Sequence, residues 1–210
     1  MTPDRAAGRP VRLLLAEDQA MIREALAALL SFEGDMEVVA QVGRGDEVLA
    51  AARRTHPDVA VLDIEMPGMD GLTAAAALKK HHPDTKIVIL TTFGRPGFLR
   101  RAMESGVSAF LVKDSPADKL TQTIRRVLNG ERVIDPDLAA AALADGVNPL
   151  TPRERDVLAA SADGRTIAEI AVQLYLSEGT VRNYLSACIQ KTGARNRAEA
   201  LGIASERGWL

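Results

Sequence analysis

Five short apolar runs separated by helix-length segments constrain this chain more than any other feature. VRLLLA (11–16), VVAQV (38–42), VAVLD (59–63), KIVILT (86–91) and AFLVK (109–113) are mostly continuous rather than alternating, the pattern of strands buried on both faces. The segments 19–32, 46–54, 72–81, 96–105 and 116–129 that follow them have helix length and spacing. Such βα repetition predicts a sheet of five parallel strands with helices on both faces, because a parallel connection needs a crossover helix. Over so short a stretch, right-handed crossovers fit a doubly wound, flavodoxin-like α/β order better than a barrel. In that order the first and third strands are neighbours, and ligands bind beyond the carboxyl ends of the strands.

After Gly130 the alternation stops. ERVIDPDLAAAALADGVNP carries Asp-Pro, an alanine tract and Asn-Pro, and reads as a linker containing a short helix. From Leu150 onward only helical segments remain, at 152–162, 167–174, 178–192 and 196–206. Thr166-Ile-Ala-Glu169 forms a capping box and Ser177 an N-cap, so two short helices meet across Tyr175-Leu176 as a helix-turn-helix. The expected organisation is a doubly wound α/β domain over 11–130, a linker over 131–148 and a small all-α, four-helix domain over 149–210.

The 210 residues suffice for two modest cores, and 47% apolar with 26% charged residues is an ordinary globular balance. No run approaches the roughly 20 apolar residues that span a bilayer, and MTPDRAAGRP is too polar for a signal peptide. The expectation is a cytoplasmic chain with a short loose N-terminal tail. One cysteine, Cys188, excludes an internal disulfide or a cysteine zinc cage and reads as packing rather than as a redox sensor. The net charge of −2 hides a basic stretch. From Ser177 to Arg197, Arg182, Lys191, Arg195 and Arg197 face Glu178 alone among acids.

Asp63 ends the third run, and Pro67, Gly68 and Gly71 then turn the chain into a helix. Glu17-Asp18 ends the first run, so a doubly wound order brings three carboxyl groups together. Like charges at that spacing call for a cation, and an all-oxygen ligand set suits Mg²⁺, which shares its coordination with phosphate oxygens. The fourth run ends in Thr91, whose hydroxyl can donate to a phosphoryl oxygen, and the fifth in Lys113, whose ammonium can offset developing charge. Together they describe an aspartyl phosphorylation site with Asp63 as nucleophile. GRGDEV at 43–48 lacks the last glycine of a dinucleotide fingerprint, and no Walker lysine motif is present.

With Glu17-Asp18, Asp63, Pro67, Gly71, Thr91 and Phe110 to Lys113 in place, the segment 11–130 resembles the receiver domain of bacterial two-component response regulators. The resemblance implies that Mg²⁺ is held by Glu17, Asp18, Asp63 and the backbone carbonyl of Glu65, and that Thr91 and Phe110 form the activation switch. Asp114 departs from the usual pattern, in which proline follows the lysine.

LTPRER (150–155) and EIAVQLYLSEGTVRNYLSACIQKTGARNRAEAL (169–201) resemble the LuxR-type, or GerE-type, helix-turn-helix domain. Both domains together resemble the NarL/FixJ class, and TTFGRP and ERGWL its DesR-type branch. Helical spacing turns Val181, Leu185, Cys188, Ile189 and Thr192 to a core, with Trp209 as a hydrophobic cap, and leaves Arg182, Asn183, Ser186 and Gln190 outward. An exposed face with Arg and Asn can read base edges in the major groove. The resemblance gives base reading to Arg182, Asn183 and Ser186, and mainly phosphate contacts to Thr180, Lys191, Arg195 and Arg197.

The function expected is a transcriptional regulator phosphorylated on Asp63 by a sensor histidine kinase. It would form a homodimer on double-stranded promoter DNA, where it can meet RNA polymerase, without a membrane role. His56, His81 and His82 all lie next to loops or helix ends, so none reads as a phosphotransfer base in the site. Two other classes stay open. A Mg²⁺-dependent phosphatase would need a second aspartate two residues after Asp63, where Glu65 stands, and a substrate-pocket domain. A receiver that controls DNA binding without phosphorylation is opposed only by the completeness of the acidic site.

Overall fold

The computed structural model describes residues 9–92, 96–136, 138–140, 148–162 and 164–210. The expected N-terminal tail and much of the linker lie outside them; of the short helix expected in the linker, 136 and 138–140 are described and helical. Two compact units are present, the first over 1–94 and 99–137 and the second over 95–98 and 138–210.

The first unit is a parallel sheet of order β2-β1-β3-β4-β5-β6. Its strands are β1 (Val11–Ala16), β2 (Met36–Val42), β3 (Val59–Leu62), β4 (Lys86–Thr91), β5 (Ala109–Val112) and β6 (Val133–Ile134). The helices are α1 (Ala20–Phe32), α2 (Val48–Thr55), α3 (Gly71–His81), α4 (Pro96–Glu104) and α5 (Ala117–Leu128). The doubly wound arrangement is as expected, but the described residues form six strands rather than five. Val133 and Ile134 fall in the segment read as a linker, and pair in parallel with Ala109 and Phe110. Two residues are too few to carry a sequence period, so only the free edge of β5 selects them.

Burial of both faces explains the continuous runs. Leu13, Leu15, Val61, Val88 and Leu111 form one core cluster with Leu30 of α1 and Ile124 and Val127 of α5. The alternate residues Leu14, Leu62, Ile87, Ile89 and Phe110 are also fully buried, on the face where α2 and α3 pack. Each fully buried Leu, Ile or Phe contributes about 1.5–3 kcal/mol.

In the second unit α6 (Pro152–Ala160), α7 (Ile167–Leu174), α8 (Glu178–Thr192) and α9 (Arg197–Glu206) surround Val157, Leu158, Ile170, Val181, Leu185 and Cys188. Both α6 and α7 begin with complete capping boxes, Thr151 with Glu154 and Thr166 with Glu169. Ser177 caps α8 by accepting the Thr180 N–H. Between α7 and α8 the chain reverses through Tyr175 in the left-handed region, at φ 55°. Trp209 is buried in this core with the Arg207 guanidinium 4.9 Å from its ring centre, the expected cap. Asn148 ties the ends of the unit together: its amide donates to the Trp209 carbonyl at 2.9 Å and its oxygen accepts the Leu150 N–H at 2.9 Å.

Candidate functional site

Strand register assembles the site. Ala16 pairs with Leu62 where β1 and β3 run side by side, so Glu17 and Asp63, each the next residue, leave the sheet together. Thr91 pairs with Val112, which places Lys113 one residue beyond the same rim. One carboxylate oxygen from each of Glu17, Asp18 and Asp63 lies within 4.8 Å of the others. Glu17 and Asp63 are buried and Asp18 is exposed, so the cluster has a buried floor and a solvent side. Glu65 is exposed in the loop after β3.

The Lys113 ammonium sits 2.6 Å from Glu17 Oε2 and 3.0 Å from Asp63 Oδ2. These contacts are ion pairs rather than aligned hydrogen bonds. Asp63 Oδ1 accepts the Ile64 N–H at 2.7 Å, which holds the carboxylate against the loop. Burial pushes the Asp63 carboxyl above its ordinary range against the pull of Lys113. Glu17 is raised by burial, then by repulsion from Asp63, again against Lys113. Burial alone would depress Lys113, but its pairing with both carboxylates leaves its affinity for the proton raised. One ammonium facing three carboxyl groups leaves excess negative charge on an all-oxygen donor set, a fit for a small hard divalent cation.

Thr91 is 1% exposed at the last position of β4, and its carbonyl accepts the Lys113 N–H at 2.8 Å. Phe110 is fully buried opposite Ile89, on the same sheet face as Thr91.

Two contributors escaped the sequence reading. Asp70 caps α3, its Oδ1 accepting from the Leu72 and Thr73 N–H groups at 2.9 Å each, and an Asp just before a helix is a legible signal. Arg23, one turn into α1, donates to the Glu17 carbonyl, and no sequence signal marks it. Gly71 and Gly45 allow the close packing of the loops. A Cβ on Gly71 would stand 1.8 Å from the Asp63 carbonyl oxygen, and one on Gly45 would stand 1.9 Å from that of Met69.

On α8 the expected faces hold. Val181, Leu185 and Cys188 are buried, Ile189 and Thr192 partly buried, and Arg182, Asn183, Ser186 and Gln190 exposed. Thr180 is half-buried, its hydroxyl 2.8 Å from that of Ser177. Arg182 pairs with Glu178 at 2.8 Å, Arg195 with Glu199 at 3.0 Å, and Arg197 donates to the Arg165 carbonyl at 2.9 Å. Lys191 differs from these: its ammonium lies 2.8 and 2.7 Å from the two carboxylate oxygens of the buried Glu154. Burial pushes the Glu154 carboxyl up, but Lys191 and the Thr151 backbone outweigh it and hold the group below its ordinary range. Burial pushes the Cys188 thiol up to about 11. Its thiolate is then about a hundredfold scarcer than for a free thiol at neutral pH. Ellman's reagent should therefore label native protein at least about a hundredfold more slowly than urea-unfolded protein; comparable rates would refute the burial.

The model of the response regulator receiver domain matches residues 13–125, and that of bacterial regulatory proteins of the luxR family matches residues 148–204. The chain belongs to the LuxR-type two-component response regulators. This response regulator is 46% identical over 200 residues to the transcriptional regulatory protein YvfU of Bacillus subtilis, covering 95% of this chain and 100% of that one. It is 45% identical over 202 residues to the transcriptional regulatory protein DesR of the same organism, covering 95% and 99%. Among solved structures, the response regulator ChrA of a heme-sensing two-component system is 29% identical, with a TM-score of 0.57 and coverage of 96% and 99%. The regulator thus joins a family of DNA-binding transcription regulators. No helix among its described residues is long and apolar enough to cross a membrane.

Proposed function

We propose that this response regulator takes a phosphoryl group onto Asp63 from a sensor histidine kinase, dimerises, and binds promoter DNA through α8. The observation that carries the reading is the charge imbalance at the rim of the sheet, three clustered carboxylates against one ammonium. Glu17, Asp18, Asp63 and the Glu65 carbonyl would hold Mg²⁺, which when bound offsets the charge of the carboxylates and of the phosphoryl oxygens. An Asp63 carboxylate oxygen attacks phosphorus, the bond from phosphorus to the kinase imidazole breaks, and the imidazole leaves with the electron pair. Ile64 N–H and Lys113 orient the Asp63 carboxylate for that attack.

The Thr91 hydroxyl then donates to a phosphoryl oxygen, and Phe110, on the same sheet face, repacks behind it. A single helix-turn-helix reads only a few base pairs, so specific binding calls for two copies on two half-sites. Arg182, Asn183 and Ser186 read base edges, and Thr180, Arg195 and Arg197 take phosphates. The working divisions are a receiver over 11–130, a linker over 131–148 and a DNA-binding domain over 149–210. The regulator acts in the cytoplasm, where the bound dimer can meet RNA polymerase.

The test is intact mass, elution volume and duplex affinity after incubation with acetyl phosphate, with Mg²⁺ or with EDTA. One phosphoryl adduct requiring Mg²⁺, with a shift to dimer and tighter DNA binding, is expected. A folded protein that takes up nothing would move the input from phosphorylation to constitutive dimerisation or a ligand.

A further inference from the structure

We infer that Lys191 is a positioning residue that clamps the DNA-reading helix onto α6 through Glu154, rather than a phosphate ligand. The inference rests on the DNA-binding reading of α8 and refines it. Glu154 is the pivot. Its side chain is 7% exposed, its Oε2 accepts the Thr151 N–H at 2.6 Å, and its own N–H reaches back to Thr151 Oγ1 at 3.3 Å. Its carbonyl meets the Cys188 thiol of α8 at 3.5 Å. Lys191, in the last turn of α8, supplies the counter-charge at 2.7 and 2.8 Å. α6 and α8 are therefore joined at one point by an ion pair and a thiol contact, both beside the α6 cap.

A phosphate that drew the Lys191 ammonium away from Glu154 would leave a buried carboxylate without its cation, which is strongly unfavourable. Arg195 makes the contrast. Its side chain is 86% exposed, and its partner Glu199 is on the surface at 31%, so exchanging that partner for a phosphate costs little.

The test uses the full-length protein, a duplex it selects from a random library, and an unselected duplex of equal length, each titrated across a range of salt. Variants are Lys191→Met, Glu154→Gln, their combination and Arg195→Gln. Glutamine at the third helical position still closes a capping box, so Glu154→Gln keeps the α6 cap while losing the ion pair. Lys191→Met should weaken binding to the selected duplex about tenfold, the worth of one lost base contact. It should change the unselected duplex less than about twofold and leave the salt slope unaltered, since no phosphate contact is lost. Glu154→Gln should match it, and the combination should add nothing.

Arg195→Gln should lower the salt slope by about 1. Loss of about 1 from the slope in Lys191→Met, with both duplexes weakened alike and Glu154→Gln unaffected, would overturn the inference alone. A lower melting midpoint with an unchanged ratio of the two affinities would overturn it too, leaving the pair a purely structural one. Failure of the wild-type protein to enrich any duplex from the library would overturn the DNA-binding reading along with it.

Discussion

Asp63→Asn should abolish phosphoryl uptake and, in a buffer with EDTA, raise the unfolding midpoint of the receiver unit. Both carboxyls on the buried floor are raised above their ordinary values, Asp63 chiefly by burial and Glu17 by burial and by Asp63 itself. Between the ordinary and the raised values the native state holds more protons than the unfolded chain, so wild-type stability falls as pH rises through that window. Above the raised values the fold carries that penalty in full. Asparagine removes one buried charge, keeps an oxygen for the Ile64 N–H, and leaves Lys113 its partner Glu17 at 2.6 Å. A gain on the order of 1 kcal/mol, or about 3 °C, is expected.

In the variant Glu17 is the one raised carboxyl left on that floor, so the decline through that window is shallower. Mg²⁺ should stabilise the wild type more than the variant, because a ligand that binds only the folded state raises its midpoint. Thermal scans at several pH values, with Mg²⁺ and with EDTA, check both statements. A variant less stable than wild type in EDTA at neutral pH would sink this account of the buried charge.

Gly71→Ala should be among the most damaging single-methyl additions in the receiver. Within a helix such a change ordinarily stabilises by up to about 1 kcal/mol. Here the new Cβ would lie 1.8 Å from the Asp63 carbonyl oxygen, 2.8 Å from its carbon and 3.1 Å from the Ile64 Cα. All three atoms belong to backbone, so no rotamer change relieves the contact. The loop after β3 has to move, the Gly71 N–H to Ile64 carbonyl bond at 2.9 Å is strained, and Asp63 shifts with it. A loss of about 3 kcal/mol is expected.

A shift of Asp63 near 1 Å would slow phosphoryl uptake by about a hundredfold. Gly202→Ala in α9 is the control, since nothing lies within 4 Å of its added Cβ and the change should stabilise. Urea titrations and initial rates of uptake from acetyl phosphate measure both. A Gly71→Ala protein as stable and as fast as wild type would mean that the loop tolerates a side chain there.

How much was legible in the sequence follows from which forces are local. β1 and β4 match their apolar runs residue for residue, because every position but Arg12 in the one and Lys86 in the other is buried. α7 and α8 match as well, because Thr166 and Ser177 cap them with their own side chains. β2 begins at Met36, two residues before its apolar run, because an edge strand tolerates the exposed Glu37. β6 was not legible at all. It exists because β5 offers an unpaired edge, as in the Val133 N–H to Ser108 carbonyl bond of 3.0 Å.

The acidic cluster could be read because each member lies within two residues after a strand, and strand ends share a rim. The partition of Lys113 between Glu17 and Asp63, and the Lys191–Glu154 pair across 37 residues, depend on how helices and strands pack. Spacing along the chain carries no trace of either.

The Asn148 clasp on Trp209 also has a topological meaning. The helical unit begins and finishes at one spot, so its chain describes a nearly closed loop. Joining its two ends through a short connector and opening it elsewhere, for example at exposed Gly164, would yield a circular permutant with the same four helices. A polypeptide fused beyond Leu210 would emerge next to the place where the linker arrives, which makes that corner an economical point for attaching a reporter.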